Sequence, residues 1–128
     1  MFNFLIIGAG VSGSVLAEMI ASQLNKKVLV IDKRNHIGGN AFDYYNESGK
    51  LIHKYEPHWF QAAEGDLKKC NSIPGNANHE LYRKYKQDAD ELGNFLFCGR
   101  LADYKYYNID PIVARALMLF DQKIISTK

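Results

Sequence analysis

The chain has 128 residues, 47% of them hydrophobic and 23% charged, enough apolar content for the core of one small domain. Its 16 basic and 14 acidic residues leave a formal charge of +2. So balanced a field gives no reason to expect nucleic acid or an anionic membrane as partner. Cys70 and Cys98 make neither a disulfide framework nor a zinc site, and no other metal-ligand cluster stands out. Cys98 lies in an apolar run and reads as a buried thiol, and both cysteines fit a reducing compartment. The opening MFNFLIIGAG lacks the positive n-region of a signal peptide, and no apolar stretch approaches the roughly 20 residues of a membrane span. The expectation is a soluble, cytoplasmic protein.

Phe4 to Ile7 is a short continuous apolar run that ends at Gly8, the pattern of a strand buried on both faces. Val11, Val15, Leu16, Met19, Ile20 and Leu24 recur at three- and four-residue spacing and predict an amphipathic helix. Asn25, Lys26 and Lys27 close it, with cations near its negative end. Val28 to Ile31 predicts a second buried strand. Strand, helix and parallel strand then form a right-handed βαβ unit of about 30 residues.

Gly38, Gly39 and Asn40 mark a turn, and residues 41–60 are rich in Tyr, Phe, His and Trp, with short strands expected around 41–45 and 50–55. Residues 61–77 show no period and contain a Pro74-Gly75 turn, so they read as a junction loop. A polar helix is expected over 78–92, stopped by Gly93. Phe95 to Cys98 predicts a third buried strand ending at Gly99. The last helix is expected to open with Asp110 as N-cap and Pro111 at its first position, and to bury Ile112, Val113, Ala116, Leu117 and Phe120. The fold class expected is α/β: a truncated Rossmann-like dinucleotide-binding fold, with a small parallel sheet and flanking helices. It is read as one domain over 1–128, with segments 1–60, 61–77 and 78–128.

Gly8, Gly10 and Gly13 spell G-x-G-x-x-G between a strand and a helix, with the acid Asp32 about 20 residues on. Each glycine has a mechanical reason. Gly8 allows the tight turn, Gly10 lets backbone approach a pyrophosphate, and Gly13 lets helix and strand pack closely. The helix N-terminus offers N–H groups and partial positive charge to that anion, and Asp32 can accept ribose hydroxyls. Lys33, Arg34, Gly38, Gly39 and Asn40 follow the acid directly, an arrangement typical of FAD enzymes rather than nicotinamide dehydrogenases. An arginine there could instead serve a 2′-phosphate, but Asp32 would repel one. FAD is favoured, with a small NAD(P)-linked oxidoreductase as the alternative.

The run KKVLVIDKRNHIGGNAFDYYNESGKLIHKYEPHWF closely resembles the start of bacterial UDP-galactopyranose mutases. LYRKYKQDADELGNFLFCGRLADYKYYNID resembles their C-terminal signature, G-R-L-x-x-Y-K-Y-Y-[DN]-M-D. The resemblance implies an FAD enzyme that interconverts UDP-galactopyranose and UDP-galactofuranose for cell-surface polysaccharide such as lipopolysaccharide. In that family the reduced flavin attacks the anomeric carbon through N5, and no net redox occurs. By the same resemblance Ser12, Asp32, Lys33 and Asn40 contact the cofactor. His58 and Trp59 lie against the isoalloxazine, and His58 responds to flavin redox state. Arg100 sits near flavin and substrate phosphate, and Tyr106 binds the UDP diphosphate. Tyr107, Asn108, Ile109 and Asp110 form the loop and helix start under the flavin.

Plainer readings exist for several of these residues. His53 and His58 could be half-buried histidines, Tyr104, Tyr106 and Tyr107 ordinary aromatics, and Arg100 a partner for Asp103. The resemblance also breaks between residues 60 and 74, where the family carries a long insert that holds the uridine pocket and two diphosphate-clamping arginines. Glu56 replaces a small residue, Gln61 a second histidine, and Asn108 an aspartate. The expectation is an internally deleted relative that is inactive or weak as a mutase by itself. A non-catalytic nucleotide-binding module and a homo-oligomer that completes the site in trans are the alternatives.

Overall fold

The computed structural model describes residues 1–55, 76–104 and 108–126. Strand β1 (Phe4–Ile7), helix α1 (Val11–Leu24) and strand β2 (Val28–Ile31) come first in the chain. The two strands pair in parallel, from Phe4 opposite Val28 to Ile7 opposite Ile31. Asn3 fastens the open end of the pair, its N–H donating to the Lys27 carbonyl at 2.8 Å and its side-chain oxygen accepting from the Lys27 N–H at 3.0 Å. Helix α1 stops at Asn25, which adopts the left-handed conformation (φ 50°) and donates its N–H to the Ile20 carbonyl.

The expected βαβ unit is therefore present, but its strands are buried on one face only. Phe4, Ile6 and Val28 pack towards the helices, whereas Leu5, Ile7, Leu29 and Ile31 are exposed, Ile7 to 78%. A continuous apolar run reads as burial on both faces because parallel sheets usually carry helices on both. Here α1 covers one face, and among the described residues no element covers the other.

A tight 3-10 turn, Gly39–Ala41, leads into an antiparallel hairpin of β3 (Asp43–Tyr45) and β4 (Leu51–His53). The hairpin falls where the aromatic-rich stretch predicted it. Asn46 sets its turn by accepting the N–H groups of Ser48 and Lys50 on its side-chain oxygen. Helix α2 (Asn76–Leu92) begins two residues before its expected start and ends at Gly93, whose φ of 69° and N–H bond to the Ala89 carbonyl close it. Its exposed face carries i,i+4 pairs, Lys86 with Asp90 and Gln87 with Glu91. On its other side Ala89 is buried and Tyr82 meets the rings of Phe97 and Tyr104.

Phe95 to Cys98 forms no strand, which corrects the expectation of a third. A strand needs a neighbour to complete its ladder, and among the described residues the parallel sheet holds only β1 and β2. Phe95 and Leu96 are accordingly half exposed, and Cys98 reaches the core from an irregular segment. Cys98 is half-buried rather than fully buried.

Helix α3 spans Ile109–Leu119 and runs on as a π-helical turn over Phe120–Ile125. Its N-cap is Asn108, not Asp110, which places Pro111 at the third helical position. The sequence signal failed there because the whole first turn lacks intrahelical acceptors for its N–H groups, so proline is tolerated at any of those positions. The first bond runs from the Ile112 N–H to the Asn108 carbonyl, one residue beyond Pro111.

The core joins α1 to α3. Leu16 and Ile20 from one helix meet Ala116 and Leu119 from the other, with Phe120 at the junction. Ala116 and Phe120 have no exposed surface, so the small side chain lets the helices approach and the large one fills the space beneath them. Of the predicted inner face of α3, Leu117 instead points outward at 36% exposure, and Leu119 replaces it in the core.

Phe120→Ala should lose about 3–5 kcal/mol, the cost of emptying a fully buried aromatic site. In a domain whose whole stability is of order 5–15 kcal/mol, that shifts the urea midpoint steeply downward. An unchanged midpoint would show that the α1–α3 contact does not hold the fold.

Candidate functional site

The turn between β1 and α1 is closed towards the strand and open towards solvent. A Cβ on Gly13 would run into the Gly8 carbonyl and the Ile6 side chain, so α1 can approach β1 only with glycine there. Gly8 has φ +106° and donates its N–H to the Ile31 carbonyl at 2.7 Å. At Gly10 a Cβ would meet nothing within 4 Å. Gly10 is the N-cap of α1 and no side chain caps the helix, so its first-turn N–H groups keep their capacity for an anion. This is the arrangement a pyrophosphate requires, namely bare backbone at the approach and tight packing behind it.

Asp32 braces the turn from the end of β2. One carboxylate oxygen accepts the Ala9 N–H at 2.6 Å, and the other accepts the Arg34 N–H at 2.8 Å. The Arg34 and then the Ala9 backbone bonds hold its carboxyl below the usual carboxylate range. A carboxylate has about four acceptor positions, so capacity for ribose hydroxyls remains.

The second glycine pair is docked onto the first turn. Gly38 donates its N–H to the Ala9 carbonyl at 2.8 Å and bridges Gly10 in parallel fashion. A Cβ on Gly39 would stand 3.0 Å from the Gly10 Cα, so this approach too requires glycine. Nothing in the sequence revealed this contact, although the repeated glycines were its one visible trace. Also unforeseen is a cluster behind the loop. His36 stacks on Phe42 at 3.9 Å and meets the Tyr55 hydroxyl at 2.9 Å, while the Arg34 guanidinium lies 4.5 Å above the Tyr55 ring.

From the C-terminal half, residues 98–100 close over the start of α1. A Cβ on Gly99 would stand 2.8 Å from the Ser12 Oγ. Burial, and then the charge of Asp103, pushes the Cys98 thiol up, which keeps it protonated and a poor nucleophile at neutral pH. Arg100 follows Gly99 and makes no ion pair among the described residues. The plainer reading of Arg100 as partner of Asp103 is corrected: Asp103 pairs with Arg115 at 3.4 Å and accepts the Gly99 N–H.

Gly8, Gly10, Ser12, Gly13, Asp32, Lys33, Arg34, Gly39, Asn40, Arg100 and Ile109 all line one broad open cleft of about 2460 Å³. Asn108, the N-cap of α3, and Asp110, in its first turn, do not line the cleft. His53 is paired with Asp43 across the hairpin at 2.6 Å, and Tyr104 stacks with Tyr82. His58, Trp59, Tyr106 and Tyr107 lie outside the described residues, as do Glu56, Gln61 and Cys70.

Two glycine exchanges should separate packing from binding. In Gly13→Ala the gain of about 1 kcal/mol in helix propensity opposes an overpacking cost of roughly 1–3 kcal/mol or more against backbone. A net loss of stability by urea unfolding is expected, whereas Gly10→Ala should leave stability nearly unchanged. Asp32 supplies a pH signature. Its folded pKa is depressed, so its contribution is present above the unfolded value of about 3.9 and is lost as pH falls through the folded one. Asp32→Asn should therefore melt below wild type at pH 7, and the gap should close below about pH 4. A gap that persists at lower pH would contradict the bracing role.

The comparisons agree with this geometry. A UDP-galactopyranose mutase of Mycoplasma genitalium is 50% identical over 95 residues, covering 70% of this chain and 23% of that protein. One from Mycoplasma pneumoniae is 48% identical over 60 residues, 46% of this chain and 15% of the relative. A dTDP-fucopyranose mutase of Escherichia coli is 44% identical over 68 residues, 52% of this chain and 18% of the relative. The chain thus spans less than a quarter of the length of these relatives. The family described as NAD(P)-binding Rossmann-like domain matches residues 6–70, a stretch that begins inside β1 and takes in the glycine turn, Asp32 and the docked glycine pair. By that match, and by the close packing that requires glycine at positions 13 and 39, the chain belongs to the NAD(P)-binding Rossmann-like domain family.

Proposed function

We propose that the chain is an FAD-binding unit of the UDP-galactopyranose mutase type, and that by itself it binds the dinucleotide with little or no mutase activity. The observation that carries the reading is the glycine turn, open at Gly10 and closed at Gly13, with Asp32 locked beside it. Bare backbone at Gly10 fits a pyrophosphate, and Asp32 fits the adenosine ribose. Lys33, Arg34 and Asn40 border the same cleft. The preference for FAD over NAD(P) rests on the run from Lys33 to Asn40 and on similarity to proteins named as mutases.

Reduced FAD, when bound, would supply the nucleophile for exchange at the anomeric carbon. The chain's own share is to orient and to balance charge. Arg100, with no ion pair among the described residues and open to the cleft, would face the flavin and the substrate phosphate. His58 and Trp59 would lie against the isoalloxazine, and Tyr106 would bind the diphosphate. Tyr107 to Asp110 would border the flavin, with Ile109 already lining the cleft. The substrate class is a nucleoside diphosphate hexose. UDP-galactose is favoured by two of the named relatives, while a third is named for dTDP-fucopyranose. A cytoplasmic setting and a role in cell-surface polysaccharide belong to the same reading. Residues 1–128 would act as one unit, with 61–77 as its junction. No helix among the described residues is long and apolar enough to cross a membrane.

A second reading, a module for the ADP half alone, is favoured by the chain's span of less than a quarter of the length of the mutases it matches.

Purified protein mixed with FAD and desalted should retain a flavin absorbance spectrum, and Gly10→Ala should weaken FAD binding roughly 10- to 100-fold, the equivalent of about one charge-assisted hydrogen bond. Retention of ADP with no retention of flavin would favour the module. Rapid product formation from UDP-galactofuranose under dithionite would overturn the expectation of weak activity.

A further inference from the structure

The loop that carries Gly38 and Gly39 is intrinsically loose. Both glycines have positive φ, 87° and 60°, and two successive glycines lose the most backbone entropy when fixed. Yet this loop must stay seated on the glycine turn, because the Gly38 N–H reaches the Ala9 carbonyl and Gly39 touches Gly10. What seats it lies at its base. His36 stands just before the loop and Phe42 just after it, and their rings stack at 3.9 Å with an 18° angle between planes.

The His36 ring is held on both nitrogens. Nδ1 lies 3.1 Å from the Ile37 carbonyl, which can only accept, so Nδ1 carries a proton. Nε2 lies 2.9 Å from the Tyr55 hydroxyl, which fixes the ring plane. Phe42 is anchored in turn, its carbonyl accepting the Lys54 N–H at 3.1 Å. None of His36, Phe42 and Tyr55 lines the cleft.

We infer that His36 is a positioning residue: with Phe42 and Tyr55 it latches the 37–41 loop onto the glycine turn, and so sets dinucleotide affinity without touching the ligand. The ligand part of this inference rests on the cofactor reading above, whereas the latch stands on the loop's own geometry. The hydrogen bonds select the ring's orientation, and the stack closes the loop. A loop that opens more often lowers the fraction of chains competent to bind, which raises the apparent dissociation constant in proportion.

The full-length chain and its His36→Phe, Tyr55→Phe and double variants test this by two measurements. His36→Phe keeps a ring for Phe42 but loses both hydrogen bonds, and Tyr55→Phe loses only the hydroxyl. The first measurement is amide hydrogen exchange at Gly38 without ligand, with α1 amides near Ile20 as internal control. Gly38 should exchange roughly three- to tenfold faster in either variant, the effect of one ordinary hydrogen bond. The double variant should be no faster than His36→Phe, and the control amides should not change. The second is FAD titration, where the double variant should bind at least about twofold more weakly.

Unchanged Gly38 exchange would overturn the latch, and faster exchange with unchanged FAD affinity would overturn its part in binding. If wild type binds no FAD while Gly38 still responds, the cofactor reading fails and the latch survives.

Discussion

Helix α1 can leave β1 at the angle it does only because Gly13 brings no side chain to the Gly8 carbonyl. That close approach sets where the N-terminus of α1 lies, and therefore where its unpaired N–H groups can meet an anion. It also sets which residues of α1 turn towards α3. Leu16 and Ile20, one turn apart and both following Gly13, become the half of the core that Ala116, Leu119 and Phe120 complete. A bulkier residue at position 13 would push the helix off the strand and disturb binding geometry and core together.

Around that contact the site is assembled in layers from distant parts of the chain. Asp32 joins β2 to the turn by taking the Ala9 N–H, while Ala9 in turn offers its carbonyl to Gly38. Three backbone segments, at positions 8–10, 32–34 and 38–39, are thus linked through one short peptide stretch. A fourth arrives from the C-terminal half, where Gly99 rests on Ser12 and brings Arg100 to the cleft. Hydrogen bonds to an ionised acceptor are among the stronger ones available, so Asp32 has a structural task before any ribose is present.

The same framework leaves a good deal uncovered. Leu5, Ile7, Leu29 and Ile31 form an exposed apolar face on the two-stranded sheet, and Phe95 and Leu96 are half exposed in a segment without a ladder. These features accord with a chain that spans less than a quarter of the length of the mutases it matches. The glycine turn and its Asp32 brace are complete in the described residues, while the apolar face of the sheet is not covered by them. In the reading proposed above, binding and turnover are separate properties, since the first depends on local backbone geometry and the second on enclosure and on orientation of a second ligand.

Much of this was legible in the residues alone. Glycines at positions 8, 10 and 13 between an apolar run and a helical period name a turn, because the positive φ at Gly8 and the close packing at Gly13 call for glycine, and Asp32 follows at the required distance. The limits of α1, the stop of α2 at Gly93 and the hairpin after Ala41 were equally local, each set by short-range periodicity or a left-handed glycine. What the sequence could not decide were properties that depend on neighbours. Whether Phe95 to Cys98 is a strand depends on a partner strand, and whether Leu5 is buried depends on a second covering layer. The choice of Arg115 over Arg100 for Asp103 depends on how α3 lies against the preceding turn. The seating of Gly38 on Ala9, and the His36–Phe42 stack behind it, arise only when the chain is folded back on itself. Local steric rules act within a few residues and are written in the sequence, whereas burial, pairing and ring stacking are decided by which distant segments meet.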